Sequence, residues 1–282
     1  MLIKPYQPHE LRFAFCYRIY FRCRTYRCHT VKSLESLSRR VLNELLKPYG
    51  LRVLGCTADT TDFLAILSLQ PTETIAAAAG KVKGRVSKWL NKSLALTDPA
   101  KLLSRGYFAC TVGNTRRKAV EGYLAAQARH HGYDRRPLPP IFVKQYQLSR
   151  EDLSRLTPKH AVVIAEFHIV LVTRYRKGVF GSQQGRAVAD EWHRLNKTLP
   201  IAIRKVSFVP DHVHIAIRSH PSIAPAEVVV QLMNSAQETV SRELVRVGID
   251  RLWQPSAYIG SFGELTSAQV RKYMEEWKKL RD

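Results

Sequence analysis

The sequence predicts an α+β fold present in two tandem copies, each with an antiparallel sheet and helices on one face. Segments with strand and helix character follow one another in the order strand, helix, strand, strand, helix and final helix, an order typical of this class. An internal repeat with a spacing of 150 residues is the second observation. At 282 residues the chain is long enough for two domains that each bury a core.

The repeat becomes visible when the second half is moved back by 150 positions. It predicts domains at 1–129 and 160–282 and a linker at 130–159. Pro137-Leu138-Pro139-Pro140 favours an extended spacer within that linker. The pairs that coincide include Tyr273 with Tyr123, Gly263 with Gly113, Leu252 with Leu102 and Pro221 with Pro71.

Apolar and β-branched runs predict the strands, and apolar residues at helical spacing predict the helices. The first strand of the first copy is expected at 13–20, and a basic turn follows it. The segment 81–92 reads as an amphipathic helix with Val82, Val86, Trp89 and Leu90 toward the core. In the second copy the predicted strands are 162–172, 201–209 and 212–217, and the predicted helices are 185–199 and 226–247.

The triplet His212-Val213-His214 is the most informative local pattern. Alternate residues of a strand point to one face, so both imidazoles are expected on the same side of the sheet. Two neutral imidazoles on one face can bind a divalent metal. The alternative is a pair of ordinary strand histidines, because short motifs often occur by chance. Asp211 could orient an imidazole, or it could only shape the turn after Pro210.

A tyrosine on a late helix completes the pattern. Tyr273 lies in the helix-like run 267–277, and a histidine pair with such a tyrosine suggests metal-assisted attack on a phosphodiester. Here the chain resembles the single-tyrosine HUH transposases of bacterial insertion sequences, the TnpA-like and REP-associated families. The run 167–177 looks like their first strand and basic turn, and 210–214 matches their HUH strand. The resemblance covers 160–282 almost end to end and implies two tandem ferredoxin-like HUH domains forming an internal pseudodimer.

The two copies differ at the positions that the resemblance marks as functional. Asp62 and Leu64 stand in the first copy where the second has its histidines, and a leucine cannot bind a metal. Tyr123 and Gln127 are four residues apart and share a helix face, and the glutamine resembles the family's third metal ligand. The second copy has Trp277 in place of that glutamine.

Family members work as dimers in which the tyrosine helix of one protomer can enter the site of the other. If this chain imitates that arrangement, His212 and His214 meet Tyr123 and Gln127 in one composite site. Asp62, Leu64, Tyr273 and Trp277 would then form an inactive one. The alternative is assembly within the second copy, with Tyr273 as nucleophile and Glu276 replacing the glutamine.

The strongly basic composition agrees with a polyanionic partner. The chain has 45 Lys and Arg against 23 Asp and Glu, a formal charge of +22 and a pI near 10.1. Any single basic cluster could also be a solvated face. The residues expected to contact DNA are Arg22, Arg24, Arg27, Lys81, Lys83, Arg85, Lys88, Arg174 and Arg176.

The resemblance implies nicking and joining of single-stranded or hairpin DNA through a 5'-phosphotyrosine intermediate. Two imidazoles and an amide accept Mg²⁺ or Mn²⁺. A catalytically inactive, structure-specific DNA-binding or regulatory protein is the second hypothesis, and an RNA-binding module is disfavoured because no aromatic-rich RNP signature occurs.

No apolar run is long enough for a membrane span. A bacterial cytoplasmic, nucleoid-associated protein with no obligatory homodimer is therefore expected.

Overall fold

The computed structural model describes residues 4–96, 100–114, 116–126, 141–263, 266 and 268–269. Within them a sheet of ten strands carries helices. The strands are β1 Arg12–Phe13, β2 Tyr17–Arg24, β3 Arg52–Ala58, β4 Asp62–Leu69, β5 Phe108–Val112, β6 Phe142–Gln145, β7 Val162–Val172, β8 Ile201–Val209, β9 His212–Ser219 and β10 Ser256–Phe262. The helices are α1 Arg39–Leu46, α2 Ile75–Ser93, α3 Arg117–Ala125, α4 Arg150–Ser154, α5 Ser182–Thr198, α6 Pro225–Thr239 and α7 Ser241–Val247. The predicted α+β class is confirmed.

The sheet is continuous from the first half of the chain into the second. Its strand order is β3-β4-β2-β5-β7-β9-β8-β6, and β10 lies against both β7 and β1. Neighbouring strands within each half are antiparallel. Among the strands that the structure describes, the two pairings that join the halves are parallel, β5 with β7 and β10 with β1. Strands β5 and β10 therefore each pair with a strand of their own half and with a strand of the other half.

Reciprocal backbone hydrogen bonds also connect the two halves at the starts of α2 and α6. The Ala76 amide at the start of α2 donates to the Pro221 carbonyl at 2.9 Å, and the Ala226 amide at the start of α6 donates to the Pro71 carbonyl at 3.0 Å. The two donors and the two acceptors are each separated by 150 residues in the sequence. These paired contacts give the chain an approximate internal twofold arrangement, as the repeat predicts.

Several sequence-based expectations about single elements need correction. Strands β5 and β10 were not predicted. The expected first strand at 13–20 is interrupted, since β1 ends at Phe13 and β2 begins at Tyr17 and continues to Arg24. The helical pattern expected over 226–247 is divided into α6 and α7 at Val240. The strands expected at 162–172, 201–209 and 212–217 are confirmed to within two residues.

The predicted linker is structured over its described second part. Strand β6 adds an outer strand to β8, with Phe142 opposite Phe208. Tyr146 is buried, and its hydroxyl donates to the Ala189 carbonyl at 2.7 Å. The segment from residue 141 onward therefore belongs to the second half of the fold, whereas Pro137-Leu138-Pro139-Pro140 lies outside the described residues.

Helices α1, α2, α5, α6 and α7 bury their apolar residues against one face of the sheet, whereas α3 packs on the opposite face through Val120 and Leu124, so the expected arrangement with helices on one face is wrong for α3. Val82, Val86 and Leu90 are fully buried on α2, as the amphipathic pattern predicts. Trp192 on α5 is fully buried and donates its indole N–H to the Leu232 carbonyl of α6 at 3.0 Å. One large apolar cluster includes residues from both halves. Across the described residues, no helix combines the length and apolar character needed to cross a membrane.

Candidate active site

The two histidines of the triplet lie on β9, which runs between β7 and β8. His214 is paired with Val170 of β7 and Ser207 of β8, and His212 with Val172 and Val209. Both imidazoles are buried, and their ring centroids are 5.0 Å apart. The predicted placement of both rings on one face follows from the period of the strand.

Asp211 binds the first of these histidines. Its Oδ1 lies 2.7 Å from Nδ1 of His212, and its Oδ2 accepts from Arg176 at 3.0 Å. Burial raises the pKa of Asp211, but the hydrogen bonds from His212 and Arg176 outweigh that effect and lower the pKa below its ordinary value. A carboxylate on Nδ1 fixes the orientation of an imidazole.

His168 of β7 is a residue that the sequence reasoning missed. Its Nε2 lies 3.0 Å from Nδ1 of His214, and the two rings are stacked with centroids 5.3 Å apart. Burial lowers the pKa of His168 to about 4, so this imidazole is neutral at neutral pH. Both triplet histidines thus use Nδ1 within the protein, and Nε2 is the nitrogen that each could offer to a divalent ion.

Helix α3 brings a tyrosine from the first half of the chain to this site. The Tyr123 ring centroid is 5.4 Å from that of His214 and 6.1 Å from that of His168. The helix packs through Val120 and Leu124 on Ala216 and Phe262, which belong to the second half. The tyrosine of one half therefore lies against the histidines of the other.

Ionic contacts across the halves hold α3 on the sheet. Nε and Nη2 of Arg117 donate to Oε2 of Glu166 at 3.0 and 2.8 Å, and the Glu166 side chain is completely buried. Arg204 lies 3.3 Å from the other oxygen of the same carboxylate. At the middle of the helix, Nζ of Lys205 donates to the Glu121 carbonyl at 3.2 Å. These groups fix the register of α3 on β7 and β8.

The equivalent positions of the first half have a different environment. Asp62 is buried and accepts from Nε of Arg22 at 2.9 Å. Leu64 is buried in an apolar cluster with Tyr20, Ile66 and Val112. An ion pair and an apolar cluster thus occupy the strand positions that carry imidazoles in the second half.

Several predicted site residues lie outside the described residues, namely Gln127, Tyr273, Glu276 and Trp277. Within the described residues, no group of three or more His, Cys, Asp or Glu side chains is arranged to hold a metal ion. The described residues therefore supply two imidazoles of suitable chemistry, and a third protein ligand remains a prediction.

Most of the basic residues expected to contact DNA have partners within the chain. Lys81 contacts Glu73 at 2.6 Å, and the guanidinium of Arg85 lies 4.3 Å from the centroid of the Tyr49 ring. Arg24, Arg27 and Lys88 are exposed. The remaining contacts are Arg22 with Asp62, Lys83 with the Arg105 carbonyl, Arg174 with Asp250 and Arg176 with Asp211.

Comparison with known proteins agrees with this two-part organisation. The model of the family described as "Transposase IS200 like" matches residues 12–127 and again 161–277. The ISDra2 transposase TnpA of Deinococcus radiodurans is 25% identical over 116 residues, which are 39% of this chain and 81% of that protein. The length of one half of this chain is thus similar to that of one such relative.

Two solved structures show weaker likeness. One, from Deinococcus radiodurans and described as a transposase, has a TM-score of 0.35 and 20% identity over 42% of this chain and 95% of its own. The other, described as a glycine cleavage system transcriptional repressor, has a TM-score of 0.17 and 10% identity over 88% of this chain and 98% of its own. Neither score supports a structural argument.

The double match to the family model covers most of the chain. It includes both the strand with the two histidines and the first-half helix with Tyr123. The chain therefore belongs to the IS200-like transposase family and carries two tandem copies of its domain. Membership implies a transposase, a protein that binds DNA and cuts and joins it.

Proposed function

We propose that this protein nicks and joins single-stranded or hairpin DNA at one composite HUH site. In this site Tyr123 of the first half is the nucleophile, and His212, His214 and Gln127 bind Mg²⁺ or Mn²⁺. The observation that carries the proposal is the contact of the Tyr123 ring with the rings of His214 and His168, at 5.4 and 6.1 Å between centroids. This contact supports assembly between halves over assembly within the second half.

The chemistry requires the tyrosine oxygen to reach the scissile phosphorus. A divalent ion, when bound, would polarise the non-bridging oxygens of that phosphate. The phenolic oxygen of Tyr123 forms a bond to phosphorus while the bond from phosphorus to the 3' oxygen breaks, and the 3' oxygen leaves with a proton as a hydroxyl. The products are a 5'-phosphotyrosine and a free 3' end. Attack by a 3'-hydroxyl on the phosphotyrosine reverses the step and joins strands.

The surrounding side chains have supporting tasks. Asp211 contacts Nδ1 of His212, and His168 contacts Nδ1 of His214. In both histidines the proposed metal ligand is the other ring nitrogen, Nε2. Fixed rings keep the two ligands in one geometry before DNA arrives. Arg117 and Lys205 hold the helix that carries the nucleophile.

The test is covalent attachment to labelled single-stranded DNA from the protein's own locus in the presence of Mn²⁺. We expect a denaturation-resistant adduct with the parent protein and with Tyr273→Phe, and none with Tyr123→Phe. His214→Ala should also lose the adduct but retain DNA binding, because it removes only a metal ligand.

The opposite tyrosine result, loss with Tyr273→Phe alone, would establish assembly within the second half. If the parent protein bound DNA yet formed no adduct with any substrate, a catalytically inactive DNA-binding protein would replace the present proposal.

A further inference from the structure

An exposed aromatic pair lies at the junction of the two halves, close to the candidate active site. Phe15 is 60% exposed and Tyr258 is 42% exposed. Their ring centroids are 5.7 Å apart in an edge-to-face arrangement. Phe15 lies in the interruption between β1 and β2, and Tyr258 lies on β10. Neighbouring exposed aromatics form a contiguous apolar surface, and such surfaces mark binding sites more often than scattered single residues do.

The Tyr258 ring is held in place by its own strand. It lies over Gly260, where an added Cβ would come within 2.6 Å of the tyrosine hydroxyl and 3.0 Å of the ring. Its other neighbour is His168, at 5.8 Å between ring centroids. A row of rings therefore runs from the exposed Phe15 through Tyr258 and His168 to Tyr123.

A cavity of about 390 Å³ adjoins the pair. Among the described residues that line it are Phe15, Tyr258, Arg18 and Asn114, and none of those residues carries a carboxylate. The Arg18 guanidinium donates to the amide oxygen of Asn114 at 3.4 Å, and no described residue that lines the cavity carries a carboxylate. A flat aromatic surface beside such a cation fits a base and its phosphate.

We infer that Phe15, Tyr258 and Arg18 form a binding subsite for one unpaired nucleotide of the DNA strand that enters the active site. The base stacks on the Tyr258 ring against the edge of Phe15, and Arg18 contacts a phosphate. This subsite rests on the proposed function, because it guides a strand toward Tyr123. Stacking on these rings favours single-stranded over duplex DNA, since paired bases do not expose their faces.

Equilibrium binding with a chelator present tests the subsite without cleavage. The probe is a short fluorescent single strand of mixed sequence, and the same strand in a duplex is the comparison. We expect Phe15→Ala and Tyr258→Ala each to weaken single-strand binding about fivefold or more, with little change for duplex. Tyr258→Phe retains the ring and should bind within about twofold of the parent protein.

Further variants separate stacking from general effects. Gly260→Ala retains both aromatic side chains but displaces the Tyr258 ring, so it should weaken single-strand binding as Tyr258→Ala does. Val245→Ala removes apolar surface that is exposed on α7 and should leave binding unchanged. Arg18→Gln should lower the slope of the logarithm of DNA affinity against the logarithm of salt concentration by about one, as expected for the loss of one phosphate contact. A 5-iododeoxyuridine in the strand should crosslink to Tyr258 or Phe15.

Equal affinity of the alanine variants and the parent protein would overturn the inference, and so would an equal loss for duplex and single strand. A parent protein without preference for the single strand would overturn it as well. Because no bond is cut in these measurements, their outcome is independent of the adduct assay. An adduct that persists while Phe15→Ala binds normally would leave the proposed function intact and remove only the subsite.

Discussion

His168 shows how a single residue outside the recognised motif can control the site. Its Nε2 lies 3.0 Å from Nδ1 of His214, so one of these nitrogens carries the shared hydrogen. If His214 binds a metal through Nε2, its Nδ1 carries the hydrogen and donates to His168. Neutral His168, whose pKa burial lowers to about 4, can accept that hydrogen bond.

We therefore predict that His168→Leu weakens Mn²⁺ binding about tenfold or more, because the ring of His214 loses its partner. His168→Gln retains an acceptor near the position of Nε2 and should restore most of the affinity. Calorimetric titration of the protein with Mn²⁺, without DNA, measures the effect. Equal affinities for the leucine and glutamine variants would show that His168 only fills space.

The triplet histidines could be found in the sequence because their motif is local, and Tyr123 could be found because the internal repeat aligns it with Tyr273. His168 could not be assigned to the site in that way. It is one polar residue within an apolar run, and its contact with His214 depends on the register of β7 against β9. Glu166 was missed for the same reason, since its partner Arg117 is 49 residues away in the other half.

At the scale of elements, α3 depends on the second half for its position. Arg117 pairs with the completely buried Glu166, and removal of Arg117 takes away two hydrogen bonds to Oε2 of that carboxylate. We predict that Arg117→Ala lowers the free energy of unfolding by about 2 kcal/mol and increases hydrogen exchange along α3.

Lys118→Ala is the matched control, because it removes a positive charge from an exposed position on the same helix. It should change stability by less than about 0.5 kcal/mol. Urea unfolding gives the free energy of unfolding of each variant, and mass spectrometry measures hydrogen exchange along α3. Similar losses in both would mean that helix propensity or net charge, and not the ion pair, anchors α3.

Strands β5 and β10 explain why the order of elements was only partly predictable. Phe108–Val112 is short, and Ser256–Phe262 contains serines and a glycine, residues with weak preference for strands. Each forms because strands of both halves flank it. Long uniform runs such as β7 and β8 carry their own pattern, and their predicted bounds were therefore accurate.

At the scale of the whole molecule, the two halves approach each other closely where β5 and β10 end. A Cβ added to Gly113 would lie 2.0 Å from the Ser261 carbonyl oxygen, which is backbone and cannot move alone. We predict that Gly113→Ala lowers the free energy of unfolding by at least about 2 kcal/mol, because the two halves must separate to admit the methyl group.

Gly122→Ala on α3 is the comparison, since no atom of the described residues lies within 4 Å of its added Cβ. It should raise stability by about 0.5 kcal/mol through the better helix propensity of alanine. Chemical unfolding measures both changes. A neutral Gly113→Ala would show that the close approach of the halves is not needed for the fold.

The continuous sheet between covalently joined halves also affects how the protein behaves when it is scarce. A dimer of separate chains dissociates on dilution, because its assembly depends on concentration. Here the partner half is always present at the high effective concentration that a tether gives. A cell that holds only a few molecules of this protein would still hold every one of them assembled.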